Sequence, residues 1–318
     1  MTTLYIDRRH ASLELEGKAL VVRFNGERQR PVPLALLERV VLLVNVELNS
    51  GVLLGLADAG VMVQLAGSRK PQRRALVLGR GHNNAALRLL QYRLTLDEGW
   101  RLAASRGLVA SKLRGQLRLL GRMLAERPDQ RKRLSDAQAQ VSAALLLVDG
   151  AESRDTLLGL EGSAGRAFFV ALAAVLPESA GFSGRKRRPP PDAVNAALSL
   201  AYTLLHGRAV QMLHVAGLDP LLGFYHELAW GRESLASDLI EPWRPHVDEW
   251  VWDQFRKQAL RASDFKVQDG ACLLGKSGRG VFFGGLESVL RPVSRGMRWQ
   301  VRGLIREMEG WDAQSVVS

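Results

Sequence analysis

The sequence predicts an α+β protein: a small β-rich N-terminal domain over residues 1–81, then a larger all-α domain over 82–318 with a β-hairpin insertion. Three features carry the prediction. Before Gly81 the apolar residues come in short Val- and Leu-rich runs broken by turn formers, and after Ala85 they recur at helical spacing. Near residue 270 a short alternating pattern returns.

The short runs are TLYID, SLELE, ALVVRF, RVVLLV, VMVQLA and RALVLG, and Gly17, Asn25-Gly26, Asn49-Ser50-Gly51 and Gly67-Ser68 separate several of them. Their length and Val content favour strands, while SGVLLGLADAG suits a short helix. Arg69, Lys70, Arg73 and Arg74 make this domain basic, and Gly81-His82-Asn83-Asn84 ends it. From Ala85 to about Arg127 nearly every residue is a good helix former, with Leu87, Leu90, Leu94 and Leu102 supplying apolar faces. Arg114, Arg118 and Arg122 recur four apart, the spacing of a solvated face. A further apolar helix covers 136–149. In LLGLEGSAGRAFFVALAAVL, Gly159, Gly162 and Gly165 permit close helix approach or a tight helix entry. Arg185, Lys186, Arg187 and Arg188 run into three prolines, which excludes helix interior and predicts a stiff, exposed, basic loop. Asp192 is placed to cap the next helix, along which Asn195, Ser199, Tyr202 and His206 form a polar stripe. A helix from about Pro245 to Leu260 carries Trp250, Trp252 and Phe255, whose spacing marks them as core.

Charge narrows the class of partner. Lys plus Arg number 44 against 32 Asp plus Glu, a net charge of +12, and the pI is near 10.5. Arginine outnumbers lysine, and a guanidinium fork suits bidentate phosphate contact. A basic chain with clustered arginines carries the footprint of a nucleic-acid binder. In the last helical stretch Arg291, Arg295, Arg298, Arg302 and Arg306 fall within an arc of about 80°, opposite Met297, Val301, Leu304 and Ile305. So concentrated a stripe repels itself unless a polyanion covers it, which predicts a DNA-phosphate face. The N-terminal MTTLYIDRRH lacks the apolar core of a secretory signal and no run of eighteen apolar residues occurs, so a cytoplasmic protein with no membrane partner is expected. The single cysteine, Cys272, excludes an internal disulfide and a thiolate-rich zinc site.

Residues 270–277, GACLLGKS, match G-x-x-x-x-G-K-[ST]. The strand–loop–helix context of a phosphate loop is missing, because the alternation predicts two strands around a Lys-Ser-Gly-Arg turn. The stretch Gly217–Pro245 is more promising. It concentrates one imidazole, His226, with Asp238 and Glu241, which are neighbours on one helical turn just before Pro242. Imidazole with carboxylates suits Mn²⁺ or Mg²⁺. Glu161 sits between apolar Leu160 and the run Ala167-Phe168-Phe169, and two readings stay open for it. It is either an exposed carboxylate or a buried one, and burial requires a metal or a cationic partner.

LEGSAGRAFF, RRPPPDAVNAALSLAYTLL, GLDPLLGFYH and SLASDLIEPWRP, in that order, resemble the CRISPR-associated integrase–endonuclease of the adaptation module, the Cas-one family. FKVQDGACLLGKSGRGVFF and the β-rich beginning extend the resemblance over nearly the whole chain. It implies a β domain that dimerises and a helical catalytic domain holding Mg²⁺ or Mn²⁺ through Glu161, His226 and Glu241, with Asp238 as the alternative ligand. It implies integration of prespacer 3′-hydroxyls into a CRISPR repeat by transesterification, on double-stranded and branched DNA, with a Cas-two dimer bridging two homodimers. Arg185, Arg187, Arg188, Arg295, Arg298 and Arg302 are then the DNA contacts. Arg244, Asn195 and Tyr202 are expected to support the metal or the phosphate. The competing readings are a non-catalytic basic DNA scaffold, a general structure-selective repair nuclease, and an ATPase dependent on Lys276.

Overall fold

Asn25-Gly26 is the sharpest local signal near the N-terminus. Phe24 and Glu27 pair across it, and both central residues have positive φ, 51° and 85°, as a two-residue hairpin turn requires. The computed structural model describes residues 2–66 and 74–315, and the chain divides into two compact units at Asn83/Asn84. The first unit runs β1 (Thr2–Ile6), β2 (Ala11–Glu16), β3 (Ala19–Phe24), β4 (Glu27–Arg28), β5 (Val32–Pro33), β6 (Leu37–Leu42), β7 (Val46–Leu48), α1 (Ser50–Asp58), β8 (Met62–Ala66) and β9 (Arg74–Val77). One sheet has the order β1-β6-β8-β9, with β1 and β8 both parallel to β6. The other has the order β4-β3-β2-β7, with β5 also on β3. Ile6, Leu13, Leu20, Val40, Leu56 and Val63 meet in one buried core.

The six expected strands correspond to β1, β2, β3, β6, β8 and β9, and SGVLLGLADAG forms α1. Asn49, expected as a turn residue, caps α1 by accepting the Val52 N–H at 3.1 Å. β4, β5 and β7 are two or three residues long and too short to show a period. The basic residues Arg69, Lys70 and Arg73 lie outside the described residues, as does the side chain of Arg74.

The second unit is helical: α2 (Ala85–Leu96), α3 (Glu98–Glu126), α4 (Arg131–Val148), α5 (Arg154–Val175), α6 (Ala193–Ala216), α7 (Ser234–Ile240) and α8 (Arg244–Arg256), then the hairpin β10 (Phe265–Gln268) and β11 (Ala271–Leu274), then α9 (Lys276–Ser315). The helical run expected from Ala85 to Arg127 is two helices. Asp97 breaks it by leaving the helical region and capping α3 through the Trp100 N–H at 2.9 Å. Asp97 also accepts the Trp311 Nε1–H at 2.9 Å, which ties α9 back to α3. α6 is buried along most of its length and packs against α7, α8, α9 and β11. Asp192 caps it through the Asn195 N–H, and Gly217 ends it at φ 86°. α5 is long and apolar enough to cross a membrane by length and composition. Here it lays Leu157, Ala164, Phe168 and Leu172 in the core beside α3 and α4.

Three expectations are corrected. The hairpin turns at Asp269-Gly270, not at Lys-Ser-Gly-Arg, and Lys276 opens the 40-residue α9. An apolar period at Phe282, Leu286, Leu290 and Val293, buried along one face of α9, outweighs the poor helix propensity of the glycines at its start. A phosphate loop is still excluded. β11 occupies the positions that would have to be a loop of free amides, and its N–H groups are spent on the hairpin and on Pro190 O. Second, Arg122 is not on a solvated face. It joins Glu126, Glu249 and Asp253, and Arg256 completes the network between α3 and α8. Third, a Cβ at Gly159 or Gly162 would meet nothing within 4 Å, so neither glycine serves close helix packing. Both are exposed, and at 100° per residue Gly159 lies on the face of α5 opposite Glu161.

Candidate active site

Four segments of the helical unit deliver side chains to one place. α5 brings Glu161 from mid-helix, the loop after α6 brings His226, α7 brings Asp238, and the short 3-10 turn Glu241–Trp243 brings Glu241. Pro242 is the reason for that turn: without an N–H it opens a new helical start directly after Glu241. Gly115 on α3 permits the approach, since a Cβ there would fall 2.9 Å from the Pro245 ring.

Asp238 organises the loop. Its Oδ2 accepts the N–H of Phe224 at 2.7 Å and of Tyr225 at 3.0 Å, and its Oδ1 accepts the N–H of His226 at 3.0 Å. Oδ1 also lies 2.6 Å from His226 Nδ1. With Nδ1–H donating to Asp238, the lone pair of His226 is on Nε2, which faces Glu241 Oε1 at 4.0 Å. Gly223 is obligatory, because a Cβ there would come within 2.7 Å of Asp238 Oδ2 and 2.8 Å of the Ser234 main chain.

Lys112 of α3 is the residue that the sequence reading missed. Its ammonium donates to Glu161 Oε1 and, at 2.6 Å, to Glu241 Oε2. Its signal was its place on the apolar face with Val109, Gln116 and Leu119, where a lone lysine needs a buried partner. Arg244 donates to the other oxygen of Glu241 at 2.8 Å. Burial alone would raise the Glu241 carboxyl, but the charges of Arg244 and Lys112 outweigh it and hold the group well below the usual carboxylate range. Burial would likewise lower the Lys112 ammonium, and Glu241 with Glu161 reverse the direction. Glu161 is therefore half-buried with a cationic partner, the condition for the second reading of that residue.

A cavity of about 430 Å³ opens beside these groups, and Lys112, Glu161, Arg185, Arg187, Tyr202 and Arg244 are among the residues that line it. Arg185 turns inward, contrary to the expected exposed loop. It donates to Asn195 Oδ1 at 2.9 Å and Ser199 Oγ at 3.1 Å, and its guanidinium lies 5.5 Å from the Tyr202 ring. Arg244 lies over the same ring at 4.5 Å. Asn195 also accepts the Lys186 N–H and donates to Gly184 O, so its task is to hold the basic loop. Arg187 and Arg188 are exposed.

The Tyr202 hydroxyl donates to Asp248. Burial pushes Asp248 up to about 6, against the Tyr202 hydrogen bond and the Arg244 charge, which both pull it down. The folded group thus holds its proton to higher pH than the unfolded one, so stability falls as pH rises through that window. Through this group the protein loses on the order of 3 kcal/mol between about pH 4 and pH 7. Asp248→Asn is expected to remove that slope, so that its urea midpoint gains on the natural protein's as pH rises; parallel midpoints would refute the assignment.

On α9, Arg295, Arg298 and Arg302 are exposed, while Met297 and Val301 face the core. The helix is pinned to the Glu241 turn. Trp243 Nε1 donates to Gln300 Oε1 at 2.6 Å, and the Trp243 ring fills the space where a Cβ on Gly296 would be. Trp250, Trp252 and Phe255 are buried, as their spacing predicted.

Among the described residues no three imidazole, carboxylate or thiol groups already stand close enough together to hold a metal ion. The donor chemistry nevertheless fits a hard divalent cation. Two carboxylates converge on the Lys112 ammonium, and the imidazole Nε2 stands 4.0 Å from the second oxygen of one of them. The buried Tyr225 hydroxyl has no hydrogen-bond partner there. Burial raises that phenol, and Glu161, Glu241 and Asp238 raise it further.

The family model for CRISPR associated protein Cas1 matches residues 4–288. The chain belongs to the Cas1 family. It is 33% identical to the CRISPR-associated endonuclease Cas1 1 of Thermodesulfovibrio yellowstonii, over 97% of each chain. Two solved structures share the fold: a casposase bound to integration product, at TM-score 0.84 and 20% identity over 97% of this chain and 90% of that one, and a Cas6-RT-Cas1–Cas2 complex. The latter matches at TM-score 0.83 and 25% identity, over 98% of this chain and 35% of that one.

Proposed function

We propose that this Cas1 protein joins DNA 3′-hydroxyls into a CRISPR repeat by phosphodiester transesterification, with Glu161, His226 and Glu241 holding Mg²⁺ or Mn²⁺. One observation supports the reading: Glu161 and Glu241 converge on one ammonium beside an arginine-lined cavity, and His226 Nε2 lies 4.0 Å from the second oxygen of Glu241. Asp238 is the less suitable ligand. Both its oxygens already accept bonds from the 224–226 segment, and its work is to fix the imidazole's tautomer and aim.

A bound divalent ion would supply Lewis acidity at the scissile phosphodiester. The protein's own groups do the rest. Arg244 and Arg185, braced on Tyr202, offer guanidinium donors to phosphate oxygens, and Arg187 extends the positive wall of the cavity. The bare backbone at Gly162 and Gly165, which line the cavity beside Glu161, lets a DNA strand pass close to it. Arg188, Arg295, Arg298 and Arg302 give the duplex exposed charge beyond the cavity. The β unit is the dimerisation domain in this reading, and the Cas1–Cas2 assembly among the relatives supports a Cas2 dimer as the bridging partner.

Labelled branched and linear DNA, incubated with the protein and Mn²⁺, tests the proposal. Joined strands are expected, EDTA is expected to abolish them, and Lys276→Ala is expected to leave them unchanged. Joining that survives EDTA would sink the metal mechanism, and loss in Lys276→Ala would revive the ATPase. A second expectation concerns the arginine stripe. Each phosphate contact removed should lower the salt slope of log K by about 0.9. Arg298→Ala/Arg302→Ala should therefore flatten the salt dependence of duplex binding by nearly two, and an unchanged slope would remove α9 from the interface.

A further inference from the structure

Lys112 stands where the metal's charge is needed. Its ammonium bridges Glu161 and Glu241, the two carboxylates assigned to the ion, and is itself buried. Without it, two carboxylates that both face the same point would repel each other at a site largely removed from water. Resting on the metal-site reading above, we infer that Lys112 is an internal counter-ion that a divalent cation must displace. The same ammonium pairs the carboxylates in the metal-free protein and weakens the site's grip on metal.

The geometry offers the displaced side chain a destination. Lys112 also lines the cavity, together with Asp248 and with Gln116, whose buried Oε1 has no hydrogen-bond partner among the described residues. Its four-carbon stem can therefore carry the ammonium out of the carboxylate pair to these acceptors without leaving the site. Arg244 cannot play this part. It holds Glu241 Oε1, the oxygen nearer His226, and stacks on Tyr202, and a planar guanidinium fixed on both sides has no alternative place.

The test is calorimetric Mn²⁺ binding to the natural protein, Lys112→Met, Lys112→Gln and His226→Ala. Lys112→Met and Lys112→Gln are expected to bind Mn²⁺ at least about tenfold more tightly, equivalent to 1.4 kcal/mol. Their melting temperatures should fall below the natural value in EDTA and rise further than it on adding Mn²⁺. His226→Ala is expected to lose binding; binding that survives it overturns the metal site itself and this inference with it. Binding that His226→Ala abolishes but that Lys112→Met and Lys112→Gln leave unchanged or weaker overturns the counter-ion role alone. Should neither Lys112 variant fold, lysine acetylation of the natural protein decides, read by mass spectrometry. Lys112 labelling is expected to rise severalfold on adding Mn²⁺, and constant protection overturns the displacement.

Discussion

His226→Ala is expected to reduce strand joining by more than about 100-fold while DNA binding stays within about twofold of the natural protein. Removing even an outer partner of a metal ligand costs 10–100-fold, and loss of the ligand itself costs more. DNA affinity should hold, because it rests on arginines contacting phosphate rather than on the imidazole. Calorimetric Mn²⁺ binding and a gel assay of product, run on the same preparation, separate the two effects. Joining at the natural rate in His226→Ala would remove this imidazole from the chemistry. Loss of DNA binding in parallel would instead assign it to the fold of the loop.

Asp238→Asn carries the second large effect, and it acts on two quantities together. The carboxylate accepts three backbone N–H groups and faces the imidazole Nδ1, all from residues 224–226. An amide in its place turns one acceptor into a donor facing donors. The cost of leaving buried donors unsatisfied is about 1–3 kcal/mol. The imidazole also loses the partner that keeps its lone pair on Nε2, so Mn²⁺ affinity should fall about 10–100-fold. Urea unfolding in EDTA reads the first quantity and Mn²⁺ titration the second. If stability falls and affinity does not, Asp238 shapes the loop without aiming the ring. If affinity falls to nothing with stability intact, Asp238 is itself a ligand, which would reverse its assignment here.

The order of elements was legible because both periods were strong. Short Val-rich runs separated by Asn25-Gly26 and Gly17 gave the β unit, and leucine spacing gave the helical run that is α2 and α3. The misplaced hairpin shows the limit. Gly-Arg-Gly-Val-Phe-Phe-Gly-Gly is poor helix by local propensity, yet it is the start of α9, whose Phe282 and Leu286 are buried. Tertiary packing overrides a propensity of about 1 kcal/mol per glycine.

The candidate site divides along the same line. By itself the sequence determined that a basic chain carries an imidazole and two carboxylates within one short stretch, a glutamate set among small residues, and arginines on one helical face. Residue type and spacing are local properties, and they survive without coordinates. Only the tertiary structure decided that Lys112, 49 residues before Glu161, bridges it to Glu241. It also decided that Asp238 serves the backbone of its own loop, and that Arg185 turns inward onto Tyr202 while Arg188 stays in solvent. Those outcomes depend on how α3, α5 and α6 pack around the Glu241 turn. A lysine becomes a counter-ion, rather than a surface charge, only when burial on a packed face removes the water that would otherwise satisfy it.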